Sequence, residues 1–299
     1  MPVLKKFWKT VEAQDKKRMN SQMPTAGIKE IFDIPYINDG TEFHKLDVYY
    51  KEDISEKQPV IIDIHGGGWM YGTKKINEYY NLVLASKGYT VVSINYRLVP
   101  EADIGDQIRD CFYAFKWVFE NIENYFGDLN NVFLTGDSAG GFLAANTAVI
   151  NTSEELRKIY SVVPEKLDFK AVGLTSPVCY LECKDITKIY YNEILGKNYK
   201  SSSYYGLVNL DKIIDKGTMP PAFLVTSTGD IPAKKSTKQA FELLKSKDIK
   251  SEYMFWQKTD GKDLPHVFSV VDPYSEPAIK TINKMLGFFK QFKTETVTY

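Results

Sequence analysis

The 299-residue chain is poor in cysteine and histidine, with three of each, and these scarcities exclude a good deal at the outset. Cys111, Cys179 and Cys183 leave one thiol over in any pairing and form no CxxC, so neither a disulfide framework nor a cysteine metal cluster is expected. A reducing compartment is the simplest setting, which gives a cytoplasmic expectation. Net charge is also lacking: 38 basic and 38 acidic side chains cancel. No overall field therefore draws the chain to nucleic acid, anionic lipid or a highly charged substrate. Lys5, Lys6, Lys9, Lys16, Lys17 and Arg18 concentrate positive charge near the start, and they read as a solvated helix face. No run of about 18 apolar residues occurs, and residues 1–20 lack the apolar stretch of a signal peptide, so neither a membrane span nor secretion is expected.

What is present is core-forming material, with 43% hydrophobic and 14% aromatic residues. Such a chain can fold as one large α/β domain over residues 1–299. Residues 1–40 read as an amino-terminal helical arm followed by a turn-rich connection ending at Asn38-Asp39-Gly40. From Phe43 to Tyr50 the pattern alternates with period two, as in an antiparallel strand carrying His44, Leu46, Val48 and Tyr50 on one face. Short β-branched runs follow at Pro59 to Ile64, Tyr89 to Asn95, Asn131 to Thr135, Ala171 to Val178, Ala222 to Thr226 and Ser251 to Trp256. Helix-length segments alternate with them at 75–87, 106–119, 141–150, 237–245 and 278–292. This rhythm predicts a mostly parallel central sheet with helices on both faces. Residues 179–219 break it with clustered tyrosines and read as an inserted lid over the carboxyl edge of the sheet.

Two motifs carry the chemistry. Gly136-Asp137-Ser138-Ala139-Gly140-Gly141 stands between a strand and a helix, the context of the G-x-S-x-G elbow, in which a serine on a sharp turn projects its hydroxyl at a helix amino terminus. A tight turn with a capping serine would need no such context, so Ser138 is the candidate nucleophile. His65-Gly66-Gly67-Gly68-Trp69 follows a buried strand, and its glycines expose backbone N–H groups of the kind an oxyanion hole requires. A phosphate loop is the competing use of such glycines, but no G-x-G-x-x-G or GK[ST] pattern continues it. The elbow rule makes the N–H of Ala139 one oxyanion donor. The sequence does not separate Gly66 from Gly67 and Gly68.

These segments, together with Asn95-Tyr96-Arg97-Leu98-Val99-Pro100-Glu101 and Pro265-His266-Val267-Phe268, resemble in content and order the hormone-sensitive-lipase-like branch of the α/β-hydrolases and its bacterial acetyl-esterase-like members. The resemblance covers roughly residues 43–292 and implies an α/β-hydrolase fold and a serine esterase acting on small acyl esters. It further implies that Gly67, Gly68 and Ala139 form the oxyanion hole, that His65 holds the glycine loop, and that Arg97 is a scaffold residue.

The residues themselves supply the rest of a triad. His44 belongs to an apolar face and His65 to the glycine loop, which leaves His266, after the last strand, as the general base. Eight aspartates lie between Ser138 and His266, and Asp230 is singled out because it follows the apolar run Phe223 to Thr226 at the end of a strand. Asp260 and Asp263 are nearer to His266 in sequence but occupy a glycine-containing loop. Where the family pattern has Asp, Pro, Leu and a second acidic residue, this chain has Asp230-Ile231-Pro232-Ala233-Lys234-Lys235. Asp137 points away from the nucleophile on so sharp a turn and reads as a structural hydrogen-bonding group. The expected reaction is acyl transfer with no metal or organic cofactor, acting on a small ester and preferring short acyl chains. A kynurenine-formamidase-like amidohydrolase and a non-catalytic binding protein of the same fold are the rival readings. The natural alcohol stays open, as does assembly into a homo-oligomer.

Overall fold

The computed structural model describes residues 2–163, 167–181, 194–195, 199–258 and 263–294. Period-two alternation assigns each strand residue to a side. In β3 (Gln58–Ile64), Val60, Ile62 and Ile64 enter one core while Ile61 enters the other, and in β5 (Gly127–Asp137) Val132 and Leu134 part from Phe133 in the same way. Both strands lie buried in the middle of the sheet, which explains why they read as unbroken apolar runs.

Eight strands form one sheet in the order β1-β2-β4-β3-β5-β6-β7-β8. β1 (Ile28–Pro35) and β2 (Lys45–Lys51) are antiparallel to their neighbours, and β4 (Thr90–Ile94), β3, β5, β6 (Phe169–Thr175), β7 (Ala222–Ser227) and β8 (Ser251–Trp256) run parallel. One face is covered by α3 (Ile104–Asn121) and α4 (Ser138–Thr152), the other by α2 (Glu78–Ser86) and the late helix Glu276–Lys290. α3 begins with a reciprocal cap: Asp103 Oδ1 accepts from the N–H of Asp106 at 3.0 Å, and Asp106 Oδ2 accepts from the N–H of Asp103 at 3.1 Å. This is the α/β-hydrolase fold, and it places the turns after β3, β5, β7 and β8 along one carboxyl edge, where open parallel sheets build their sites.

Several local expectations need correction. His44 does not sit on a strand face. It ends a 3₁₀ turn, Glu42–His44, and its ring pairs with Asp39 at 2.7 Å and Asp110 at 3.3 Å. The strand proper starts at Lys45, with Leu46 and Val48 in the core. The stretch after α1 (Pro2–Asn20) is more than a connection, because it contains the edge strand β1. α5 (Glu154–Tyr160) was likewise not expected. Of the expected lid, 182–193 and 196–198 lie outside the described residues. The described part packs beside the sheet: α6 (Leu210–Ile213) joins the core under α4, and Tyr204 stacks on Tyr160 at 5.4 Å and bonds to Asp103. Further along the chain lie α7 (Lys234–Ser246), α8 (Phe268–Val271) and α9 (Glu276–Lys290).

Candidate active site

Ser138 stands where β5 becomes α4, with φ +50°, a conformation an L-residue adopts only when its surroundings impose it. The imposition is visible at Gly140. A Cβ there would lie 2.0 Å from Ile64 O and 2.4 Å from His65 O, so only glycine lets the first turn of α4 touch the end of β3. The Ser138 hydroxyl is 2.9 Å from His266 Nε2, and His266 Nδ1 is 2.7 Å from Asp230 Oδ1. The structure thus brings Ser138, His266 and Asp230 into one hydrogen-bonded series.

Asp230 is fully buried at the end of β7. Its Oδ2 accepts from the Thr226 hydroxyl at 2.5 Å and its Oδ1 from the N–H of Ala233 at 3.1 Å. Burial pushes its carboxyl up, but hydrogen bonds from His266, Thr226 and Ser176 outweigh burial and hold it below the usual carboxylate value. It stays an anion facing the imidazole. The histidine loop is fastened at two points: Ser227 Oγ donates to Leu264 O at 2.7 Å, and Val267 N–H donates to Ser176 Oγ at 3.3 Å. Asp263 is turned elsewhere, accepting from the Thr228 hydroxyl at 2.5 Å, and Asp260 lies outside the described residues.

The glycine loop is held just as firmly. His65 is buried, stacks on Tyr96 with ring centres 4.4 Å apart, and donates from Nδ1 to Gly66 O at 2.7 Å. Burial lowers its pKa to about 4, so the ring is neutral at working pH. Tyr96 OH donates to His65 O at 2.8 Å, and Trp69 O accepts from Val99 N–H and Gln107 Nε2, each at 2.9 Å. Asp137 Oδ1 accepts the N–H of Gly66 at 2.9 Å, which removes Gly66 from the candidate oxyanion donors. Gly67 and Gly68 take φ of +110° and +59°, and among the described residues no acceptor holds their N–H groups. The N–H of Ala139, in the first turn of α4, has no intrahelical partner, and the positive end of the helix lies there.

Beneath Ser138 sits a polar layer of which sequence reading found only Asp137. Asn77 Nδ2 donates to both Asp137 Oδ1 at 2.8 Å and Asp63 Oδ2 at 3.0 Å, while Thr135 Oγ1 donates to Asp63 Oδ1 at 2.9 Å. Burial, with the nearby charge of Asp137, raises Asp63 to about 7. Burial raises Asp137 as well.

Arg97 forms a two-pronged pair with buried Asp110 at 2.7 and 2.9 Å, away from the serine. Cys111 and Cys179 are buried free thiols, and Cys183 lies outside the described residues. Among the described residues no cluster of three or more His, Cys, Asp or Glu could hold a metal ion, and no helix is long and apolar enough to cross a membrane.

A cleft of about 320 Å³ opens at Ser138 and His266. Gly67, Gly68, Tyr71, Val178 and Val267 line it, and its outer wall is α1, through Phe7, Trp8 and Val11. This wall was missed in the sequence. The stripe Trp8, Val11, Asp15, Arg18, at spacings of three and four, was the available signal.

The family model BD-FAE matches residues 46–243. The chain belongs to the BD-FAE family. The matched span begins in β2 and ends in α7, enclosing the glycine loop, Ser138 and Asp230. Esterase B of Lactobacillus rhamnosis (HN001) superposes with a TM-score of 0.92 at 27% identity, covering 98% of this chain and 94% of that one. The same esterase in a structure with a C4-C4 SN3 tributyrin phosphonate gives a TM-score of 0.92 at 28% identity, over 98% of this chain and 94% of that chain. A protein of Oryza sativa subsp. japonica, named a probable isoprenylcysteine alpha-carbonyl methylesterase, is 26% identical over 236 residues, 75% of this chain and 55% of its own. This BD-FAE chain therefore spans about half the length of that curated relative.

Proposed function

We propose that the protein is a serine carboxylesterase that cleaves short-chain acyl esters through Ser138, His266 and Asp230. The observation that carries the reading is the pair of bonds on His266, 2.9 Å to the serine hydroxyl and 2.7 Å to a buried carboxylate. His266 Nε2 takes the Ser138 proton as Oγ attacks the ester carbonyl. The oxyanion forms against the N–H groups of Gly67, Gly68 and Ala139, and Asp230 stabilises the imidazolium. Collapse breaks the bond to the alcohol oxygen, which leaves with the proton from His266. Water then attacks the acyl-enzyme by the same route and restores Ser138. The likeness to esterase B, seen with a C4-C4 SN3 tributyrin phosphonate, supports both the ester class and the short acyl chain. So does the small cleft, which suits a limited acyl group better than an extended lipid tail.

Ser138→Ala is expected to cut kcat on p-nitrophenyl acetate or butyrate by about 10⁶, leaving the residue of catalysis that an oxyanion hole retains. An alkyl phosphonate should label Ser138, as read by peptide mass. Label on another residue, or near-normal turnover in Ser138→Ala, would reject the mechanism. Faster turnover of N-formyl amides than of short esters would move the protein to the amidohydrolases.

A further inference from the structure

Resting on that reading, we propose that Trp8 is a specificity-determining residue, and that α1 is a substrate-binding wall fastened over the cleft by Arg18 and Asp15. The wall meets the chemistry directly. A Cβ on Gly68 would lie 2.5 Å from Trp8 Cζ2, so the indole edge is pressed against the backbone that carries a candidate oxyanion donor. An apolar substituent passing that point meets the Trp8 ring.

The indole is itself supported. It stacks on Tyr71 with ring centres 5.3 Å apart and planes at 15°, and Tyr71 OH donates to Asp15 Oδ2 at 3.1 Å, back on α1. Arg18 bonds Asp15 at 3.0 Å and donates to Val271 O and Ile76 O, each at 3.1 Å. Ile76 lies shortly after the glycine loop, and Val271 ends α8 just beyond His266. One guanidinium therefore joins the wall to the segments on both sides of the reacting centre. The half-buried positions of α1, Trp8, Val11, Asp15, Arg18 and Met19, include two charged residues, so polar contacts share with apolar packing the task of holding the helix in place. Fixed placement matters because discrimination by size needs a wall that does not yield, and one or two methylenes refused by an apolar surface change kcat/KM by about tenfold or more.

The test uses the full chain and two ester series: p-nitrophenyl esters of lengthening acyl chain, and acetates of increasingly bulky alcohols. In one of the two, Trp8→Ala should raise the kcat/KM ratio of long to short members by about tenfold or more. That series also identifies which side of the ester lies under the wall. Trp8→Phe, which keeps a ring, should shift the ratio less. Arg18→Ala should relax the same series, moving KM more than kcat. Parallel loss across every member of both series, or unchanged profiles in both, overturns the proposal, with circular dichroism and phosphonate labelling of Ser138 verifying that each variant is folded. If the unaltered protein neither turns over esters nor takes the label, the esterase reading fails and this one falls with it. If it is labelled and Trp8→Ala leaves selectivity unchanged, only the wall is wrong.

Discussion

Replacing Asp63 with Asn should change how stability responds to pH, in a direction set by burial. In the fold the carboxyl is half protonated near pH 7, whereas its ordinary value is 3.8. A raised folded-state value means that folding favours the protonated form. The contribution of Asp63 is therefore intact below the unfolded-chain value and lost as pH rises toward about 7. At about 1.4 kcal/mol per pH unit, the rise from 3.8 to about 7 corresponds to roughly 4 kcal/mol lost between pH 4 and 8. Asn does not titrate. It can fill the site, with its oxygen toward Asn77 and its amide toward Thr135, whose hydroxyl then turns to Ile62 O at 3.5 Å. Urea unfolding of both proteins should show the variant gaining on the parent by about 4 kcal/mol from pH 4 to pH 8, whatever the offset at either end. A difference flat to within about 1 kcal/mol over that range would refute the reasoning and mean that water or relaxation solvates Asp63.

Two further outcomes rest on the same geometry. Asp230→Asn should fold and yet lose about 10⁴ in kcat, since an amide facing Nδ1 favours the wrong tautomer, while Asp263→Asn, already committed to Thr228, stays within roughly tenfold. Parallel kcat measurements on short esters decide between the two carboxylates. At His44, burial lowers the pKa but the Asp110 and Asp39 contacts prevail and raise it, so its stabilising contribution should be full below the unfolded-chain value and fade as pH rises through the folded one. His44→Gln should remove that fade from the urea titration, and an unchanged slope would refute it.

The elbow and glycine loop were legible because their requirements are local: glycines on either side of Ser138 and a run of three after β3 answer to steric demands within a few residues. Asp230 was legible for a related reason, since a buried strand fixes the position of the residues just past its end. β1 was not. Its register with β2 shifts between Ile31 and Ile34, and Asp33 lies there at φ +61°, so the alternation that would announce a strand is broken inside the element. The role of α1 was hidden because every partner that defines it, Gly68, Tyr71, Ile76 and Val271, lies far along the chain. The family match starts only at residue 46 and passes over this wall as well.

The same non-local logic accounts for the polar layer under Ser138. A buried carboxyl pair is poor material for stability, and apolar residues of similar volume often do as well or better. Its value lies in orientation. Asp63 fixes one hydrogen of the Asn77 amide, the other is then aimed at Asp137 Oδ1, and that oxygen also takes the N–H of Gly66. Asp137 immediately precedes Ser138, so the turn carrying Ser138 and the loop carrying Gly67 and Gly68 are fastened to one another through a single carboxyl group. Of the three glycine N–H groups, that of Gly66 is bound, which leaves the other two for the oxyanion of the proposed mechanism. Such donors stabilise a transition state only if they need no reorganisation when it forms. The carboxyl group buried beneath the serine is what keeps them still.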